Sequence, residues 1–296
     1  MPLSHELFSS SASMNHAKTS GYQLVEITKK KDLLEFIRFP DRLYRGNPWY
    51  VPALHNAQLD TLSSERNPAF AHCQARYWLV RSEQQVLGRI AGIINHVYNK
   101  DRGIKYMRFG WLDFVEDPRV LSMLLGAVEA WARENQMEAV HGPLGFTSFD
   151  ASGVLVEGFE ELPTAWGRYN APYYGPMLEE HGYAKDVDWV ENLIQVPTET
   201  NQREMRIARM VRERFQLRQA EFKNRDELRM WVEPLFSLVN ESYGSLYAFS
   251  ALSPAQINQL ADAFLKIVQA EFVSVVLNNQ DEAVAFGLVV PSLAKA

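Results

Sequence analysis

Residues 85–146 constrain the fold more than any other part of the sequence, because three extended runs and one long amphipathic helix follow one another there without interruption. Residues 86–97 and 107–115 are apolar runs typical of buried strands. Asp117 and the proline after it stand where an N-cap and a first helical residue belong, and apolar residues then recur at helical spacing up to a further extended run at residues 138–141. A helix between two strands implies a crossover that packs on the sheet, so this order predicts an α/β fold with a mixed sheet and flanking helices.

The flanking sequence completes a first domain, which is predicted over residues 21–197. Its beginning alternates apolar and polar residues as a strand does, and then changes to a helical pattern. Gly182 is a natural C-cap for a short helix that precedes the last strand. The predicted flanking elements are a strand at residues 22–27, a helix at 28–39, a strand at 76–80, a short helix at 174–181 and a closing strand at 188–196.

Composition bears mainly on location and on partners. The net charge of −6 argues against nucleic acid as a partner, because nucleic-acid-binding proteins usually carry a concentrated basic surface. Residues 1–20 are polar and rich in serine, without an apolar core, so they are predicted as a disordered leader and not as a signal peptide. Cys73 is the single cysteine of the sequence, which excludes an intrachain disulfide. We therefore expect a cytoplasmic protein, with peripheral contact at the inner membrane as the alternative for one basic segment.

That basic segment, residues 198–214, is predicted as a connecting helix. It contains five arginines with apolar residues between them. A basic amphipathic helix can lie on an anionic membrane surface, whereas a solvated helix between two domains is the more ordinary structure for such a segment. Three glutamates in the segment dilute its positive charge and favour the solvated helix.

Residues 215–296 repeat the order of elements with which the first domain begins, without obvious residue identity. The sequence ends where the first copy continues with its second strand, long helix and closing strand. We therefore expect the first half of a second, incomplete domain, whose last hairpin would leave an unpaired edge and favour homo-oligomers. The predicted elements of this copy are a strand at residues 215–222, helices at 226–239 and 254–268, and hairpin strands at 272–277 and 283–290.

The order of these elements resembles the GNAT acyltransferase fold. A bacterial family of two-domain GNAT-like proteins, which includes bacterial ceramide synthases, is similar to this sequence in the blocks NPAFAHCQARYWLV, VLGRIAGIINHVYN, RFGWLDFVEDPRV, HGPLGFTSFDASGVLVEGFEELPT and HGYAKDVDWVE. The resemblance covers residues 22–290. It implies an N-acyltransferase that uses acyl-CoA as co-substrate, a small-molecule or lipid amine as acceptor, and no metal.

Within that family, the function that the resemblance favours is transfer of a long acyl chain to the amine of a sphingoid base. Two alternatives stay open. One is a non-catalytic or degenerate GNAT-like fragment that serves as a binding module, and the other is an N-acetyltransferase for a small soluble amine.

The loop before the long helix departs from the GNAT pattern. In the enzymes resembled, the pyrophosphate of coenzyme A sits on a glycine-rich loop at the N-terminus of that helix, where unpaired N–H groups attract anions. Here the loop has no glycine, Glu116 and Asp117 stand where the phosphates would bind, and Pro118 removes a donor. Arg119 is the one cofactor-binding candidate. We therefore expect that the first domain does not bind coenzyme A in the usual way. The acyl-carrier site would then fall in the second domain, past the end of the sequence, and the chain could be inactive.

Three residues are candidate catalytic groups, since acyl transfer to an amine needs a base and an acid. His141 lies at a strand end and could be the base, although stabilising a turn is the more ordinary role of such a histidine. Asp150 could orient the amine, and is also a common turn residue. Tyr174 is the nearest candidate for the GNAT acid, but it is displaced from Leu178, the position expected by counting back from Gly182.

The candidate substrate-binding residues lie in loops that follow strands, where open α/β sheets place their sites. They are Thr147, Glu157, Tyr173 and Trp166. A tryptophan such as Trp166 is most simply a core or pocket-wall residue, and an acyl-chain groove is the alternative.

Overall fold

The computed structural model describes residues 3–6, 21–164, 167–292 and 294. This part of the chain divides into two compact units, of which the first ends at Trp189 and the second is Val190–Ser292. Each unit contains a sheet of its own. The predicted domain boundary, after residue 197, lies a few residues further along the chain.

The first unit contains, in chain order, β1 (Leu3–Glu6), β2 (Gln23–Glu26), α1 (Lys30–Leu43), α2 (His55–Leu62), β3 (Cys73–Arg81), β4 (Val86–Asn95), α3 (His96–Arg102), β5 (Tyr106–Phe114), α4 (Pro118–Glu134), β6 (Ala139–Gly142), α5 (Tyr174–Glu180) and β7 (Ala184–Lys185). Its described strands form one sheet in the order β2-β3-β4-β5-β6-β1-β7. Neighbouring strands are antiparallel except β5 and β6, which are parallel and joined by α4. The predicted α/β fold class with a mixed sheet and a crossover helix is confirmed.

Helix α4 forms where the sequence predicted it, and both of its ends are capped. The Asp117 side chain accepts a hydrogen bond from the backbone N–H of Arg119 at 2.9 Å. At the other end, the Asn135 side chain donates to the carbonyl of Trp131 at 2.8 Å. The apolar face of α4 packs on β4 at Gly88, where a Cβ atom would lie 2.8 Å from two α4 side chains. The close packing of helix on sheet therefore depends on this glycine.

Helix α1 carries a proline, Pro40, inside its span. Its buried residues belong to a different apolar core from those of α4, so the two helices cover opposite faces of the sheet. Proline has no N–H, which leaves the carbonyl oxygen of Phe36, four residues earlier, without its helical donor. That carbonyl accepts a hydrogen bond from Arg89 of β4 instead.

Two segments at the far edge of the sheet differ from their prediction. Leu3–Glu6 lies within the predicted disordered leader but forms β1, because the edge of β6 offers backbone groups that an extended segment can satisfy. The other leader residues lie outside the described residues. The predicted closing strand at residues 188–196 does not form, since β1 occupies the edge of β6 that it would use. Four of its apolar side chains are 76 to 90% exposed, namely Val190, Leu193, Ile194 and Val196.

The second unit contains α6 (Gln202–Arg214), β8 (Arg218–Gln219), α7 (Arg225–Arg229), α8 (Val232–Tyr243), α9 (Pro254–Ile267), β9 (Val273–Leu277) and β10 (Ala283–Leu288). Its described strands form an antiparallel sheet in the order β10-β9-β8. Helix α9 begins with a capping box between Ser253 and Gln256. The predicted strand at residues 215–222 is reduced to β8, and the predicted helix at 226–239 is divided into α7 and α8. The incompleteness of this domain and its self-association stay predictions.

Candidate functional site

Four polar side chains are buried together where β4, β5, α5 and the end of α1 meet. They are Tyr44, Arg89, Asp113 and Tyr174, called the buried polar cluster below. Arg89 is 3% exposed and Tyr174 is 1% exposed. Charged side chains are rarely buried unless they are paired, and paired groups in such surroundings are common at functional sites. The buried polar cluster is therefore the strongest candidate for a site in the first unit.

An ion pair forms the centre of the buried polar cluster. The Nε and Nη2 atoms of Arg89 lie 2.7 and 2.6 Å from Oδ2 of Asp113. Nη1 of the same guanidinium donates at 2.8 Å to the carbonyl oxygen of Phe36, the one that Pro40 leaves without a helical donor. Arg89 thus neutralises Asp113 and satisfies a backbone acceptor of α1 at the same time.

The hydroxyl oxygen of Tyr174 lies among three hydrogen-bonding groups. It accepts from the backbone N–H of Phe114 at 3.0 Å and from the Tyr44 hydroxyl at 2.6 Å. Oδ1 of Asp113 lies 3.5 Å away. Burial raises the pKa of Tyr174 and of Tyr44 well above the ordinary value, so both phenols keep their protons at neutral pH. The two donors aimed at the Tyr174 oxygen would stabilise a negative charge there if its proton were given away.

A bulge in the sheet brings Asp113 into the buried polar cluster. Asp113 pairs with Arg89, but Gly110 pairs with Ala91, so two residues of β5 stand opposite one residue of β4. Trp111 lies in this bulge with φ of 47°, a region that non-glycine residues seldom adopt. The extra residue reverses the alternation of side chains along β5. Asp113 consequently faces the side of the sheet covered by α1.

A second group of side chains lies between β5 and α2. The indole N–H of Trp111 donates to the Gln58 side-chain oxygen at 2.6 Å, and Arg168 donates to the same oxygen at 3.3 Å. The guanidinium of Arg168 stands 5.7 Å from the centre of the Trp111 ring. Trp111 is only 6% exposed, so these contacts belong to the packing of α2 on β5.

Thr147 and Asp150 meet each other but not the buried polar cluster. The Asp150 carboxylate accepts from the backbone N–H of Thr147 at 2.9 Å and from its hydroxyl at 3.4 Å. Burial raises the pKa of Asp150, and the positive charge of Arg168 opposes this rise. The carboxylate thus holds its own loop in a turn, which is the alternative to the amine-orienting role predicted for it.

Tyr173 is the predicted substrate-binding residue that lies beside the buried polar cluster. Its hydroxyl donates to the carbonyl oxygen of Phe114 at 2.5 Å, and the N–H of the same Phe114 donates to the Tyr174 hydroxyl oxygen. Glu157 is exposed in the loop between β6 and α5. Trp166 lies outside the described residues.

His141 is buried in the sheet, away from the cluster. It is 1% exposed and its ring lies near those of Tyr98 and Tyr106. Burial, and then the charge of Arg108, lowers the pKa of His141 to about 3. A buried imidazole of such low basicity is poorly suited to accept a proton from an amine, so this geometry favours a structural role.

The N-terminus of α4 is closed by its own side chains. The Arg119 guanidinium lies 2.7 Å from one oxygen of Asp117 and 3.1 Å from the other, and the Tyr22 hydroxyl donates to Asp117 at 2.9 Å. Arg119 holds the pKa of Asp117 well below its usual range. The Asp117 carboxylate already accepts one helix N–H here, the Asp117 carbonyl accepts two more, and the nearby cation is already neutralised. This arrangement favours the hypothesis that coenzyme A phosphates do not bind at α4.

Tyr44, Arg89 and Asp113 were not among the candidate site residues predicted from the sequence, although the sequence around Arg89 and Asp113 contains a signal for them. Arg89 is the single charge in the apolar run VLGRIAGIIN, and Asp113 is the single charge in WLDFV. Two isolated charges of opposite sign in adjacent buried strands predict an ion pair, because neither can stay buried alone.

The described residues contain no group of three His, Cys, Asp or Glu side chains placed to hold a metal ion. None of the helices in the same residues has the length and apolar character that crossing a bilayer requires.

The described topology is that of an α/β protein with a mixed sheet and a crossover helix. The chain is a homologue of the bacterial ceramide synthase of Caulobacter vibrioides (strain NA1000 / CB15N), with 26% identity over 279 residues, which are 88% of this chain and 71% of the relative. This relationship confirms the resemblance to the family that includes bacterial ceramide synthases.

Protein YghO of Escherichia coli (strain K12) is 33% identical over 159 residues, 54% of this chain, and the chain matches 40% of that relative's length. No family model matches the chain. Among solved structures, a tandem GNAT protein from the clavulanic acid biosynthesis pathway covers 90% of this chain and 73% of its own, with a TM-score of 0.46 and 11% identity. A putative acetyl transferase from Pyrococcus furiosus covers 58% of this chain and 99% of its own, with a TM-score of 0.32 and 13% identity.

Proposed function

We propose that this chain is an N-acyltransferase that transfers a long acyl chain from acyl-CoA to the amine of a sphingoid base. The observation that carries the proposal is its 26% identity with a bacterial ceramide synthase along 88% of the chain. The buried polar cluster supports it, since it combines a proton donor, a backbone N–H and a carboxylate within one hydrogen-bonded group.

Tyr174 is the proton donor in this proposal. When an amine attacks a thioester, the C–N bond forms, the C–S bond breaks, and the leaving thiolate takes up a proton. The raised pKa of Tyr174 keeps its phenol protonated at neutral pH, ready to give that proton. The Phe114 N–H and the Tyr44 hydroxyl then stabilise the phenolate that is left.

Asp113 orients the amine in this proposal. Its Oδ2 is held by Arg89, whereas Oδ1 faces the hydroxyl of Tyr174 at 3.5 Å. We assign to Oδ1 a hydrogen bond from the amine, and the ammonium loses its proton to water before attack. The second proton, released from nitrogen as the amide forms, returns to the Tyr174 phenolate and restores the donor.

The N-terminus of α4 does not offer a site for the phosphates of coenzyme A, because Asp117 and Arg119 close it. We propose that the phosphates of the carrier bind away from this helix end, while its thioester is held at Tyr174. The same closed helix end supports a second candidate function, a binding module that holds the amine without transferring an acyl group. The cytoplasmic location stays a prediction.

The test is to incubate the purified chain with a long-chain acyl-CoA and sphinganine in detergent, and to detect the amide by mass spectrometry. A parallel reaction with acetyl-CoA and a small soluble amine, without detergent, tests the alternative acceptor class. Calorimetric titration with coenzyme A accompanies both. Absence of product from a folded sample would overturn the proposal, and absence of coenzyme A binding as well would support the binding module.

Tyr174→Phe tests the assigned roles. We expect the rate to fall by roughly a hundredfold or more, because a positioned proton donor contributes about that much. The matched control is Tyr183→Phe, which removes another buried phenol, one that donates to Glu129 at 3.2 Å outside the cluster. Equal rates for the two variants would remove Tyr174 from the mechanism and leave the acyltransferase proposal standing.

A further inference from the structure

Helix α6 is exposed along its whole length. None of its 13 residues, Gln202–Arg214, is buried, and its N-terminus is capped by Asn201, which accepts from the N–H of Arg203 at 3.0 Å. A helix of this length is only marginally stable in water by itself, and helices in proteins gain most of their stability from packing one face. Such a helix needs a surface to lie on.

The charge of α6 differs in sign from that of the chain. Its arginines outnumber its two glutamates and leave three net positive charges, whereas the whole chain carries −6. Among the described side chains, no acidic residue forms an ion pair with any of these arginines, and Arg214 lies 5.4 Å from the Phe215 ring. The five are Arg203, Arg206, Arg209, Arg212 and Arg214.

One side of α6 carries three exposed apolar side chains, with Arg203 and Glu204 at its N-terminal end and Arg214 beside them. Ile207, Val211 and Phe215 recur every four residues, a spacing that places them on the same side of a helix. Their exposed fractions are 49, 42 and 58%. Arg206 and Arg209 lie on the opposite side by the same spacing. A basic polar side opposite an apolar side is the pattern of helices that lie in a membrane interface.

We propose that α6 docks the protein on an anionic phospholipid surface, with the Ile207–Val211 side in contact with the acyl chains and the arginines at the phosphates. A second copy of the chain is a poorer occupant, because it would bring five more arginines to the same face. An anionic surface attracts α6 and repels the net negative charge of the chain. The two effects together turn α6 towards the membrane. The inference does not depend on the proposed function, since binding is measured without turnover.

The test is sedimentation of the full chain with vesicles of phosphatidylcholine alone and of phosphatidylcholine with phosphatidylglycerol. We expect binding to the anionic vesicles, weakened by added salt. Arg206→Glu with Arg209→Glu should lower the partition coefficient at least roughly tenfold. The matched control is Arg38→Glu with Arg45→Glu, two exposed arginines of the first unit, which makes the same change in charge and should leave binding unchanged.

A second pair of variants tests the apolar side. Ile207→Ser with Val211→Ser should lower the partition coefficient roughly tenfold. Ile267→Ser with Val284→Ser is the control, because these two side chains have the same exposed fractions, 49 and 42%. No binding of the folded chain to anionic vesicles, or unchanged binding of both α6 variants, would overturn the proposal. A change of the Ile207/Val211 variant from dimer to monomer in gel filtration would overturn it in favour of a second copy.

Discussion

Replacing Arg89 by methionine should destabilise the first unit by about 3–5 kcal/mol, the usual cost of removing one partner of a buried ion pair. The guanidinium makes three contacts of 2.6 to 2.8 Å, two with Asp113 and one with the carbonyl of Phe36. Without them, the Asp113 carboxylate keeps, among the described side chains, the Tyr174 hydroxyl at 3.5 Å, and the carbonyl keeps no helical donor. Methionine fills similar space, so the loss would come from the unpaired groups and not from a cavity.

A double substitution separates the ion pair from general disruption. The double variant Arg89→Met with Asp113→Leu should recover most of the lost stability, because no uncompensated charge stays buried. The coupling free energy between the two substitutions should be about 2 kcal/mol or more. Arg81→Met is the matched control. Arg81 pairs with Asp32 at 3.1 Å and Glu35 at 2.7 Å, but its side chain is 25% exposed, so we expect a cost of about 1 kcal/mol or less.

Urea unfolding followed by tryptophan fluorescence is the assay for these variants. Six of the seven tryptophans precede Val190, so the signal reports mainly on the first unit. The reasoning would be refuted if Arg89→Met cost no more than Arg81→Met. It would also fail if the double variant were as unstable as Arg89→Met alone.

Three further predictions concern packing, capping and pH. Gly88→Ala should lower the free energy of unfolding, measured in urea, by about 1–3 kcal/mol, because its Cβ would meet Leu124 at 2.8 Å. Gly126→Ala, with open space around its Cβ, should raise the free energy of unfolding by about 0.5–1 kcal/mol. Asp117→Asn should be less stable than the natural chain by about 0.5 kcal/mol at neutral pH. Because Arg119 depresses the pKa of Asp117 in the folded state, the difference in stability between the natural chain and Asp117→Asn should shrink as the pH falls below about 4. A difference that stays constant with pH would contradict this prediction. His141, with its pKa lowered to about 3, takes no proton in the folded state near pH 6, whereas the unfolded chain does. The free energy of unfolding should therefore decline as the pH falls from about 6.5 to 3, and His141→Gln should reduce that dependence on pH.

The parts of the fold that could be predicted from the sequence are those with local signals. Asp117 and the following proline fixed the start of α4, and the positive φ of 86° at Gly182 ends α5 as its position predicted. Helical and alternating patterns likewise located the hairpin of β3 and β4 and the crossover through α4. These signals depend on neighbouring residues, and tertiary structure did not override them.

The buried polar cluster could not be predicted in the same way, because its contacts are remote in sequence. Arg89 bonds to residues 24 and 53 positions away, and Tyr44 meets Tyr174 across 130. Strict alternation along β5 would have placed Asp113 with the α4 side of the sheet, and the bulge at Trp111 reverses that. No local pattern marks a bulge whose residue is not glycine. Local turn chemistry instead determines the position of Asp150, which was chosen from a loop, and burial in the core determines that of His141, which was chosen at a strand end.

The proline in α1 couples that helix to Arg89 and, through Arg89, to the groups proposed for proton transfer. Because the carbonyl of Phe36 is held by Arg89 and not by a helix amide, a displacement of α1 must either move the guanidinium with it or break that bond. Either outcome alters the charge balance around Asp113 and, through it, the readiness of Tyr174 to part with its proton. If Tyr174 is the acid proposed above, a ligand that shifted this helix would tune it from a distance, without contact with the reacting atoms.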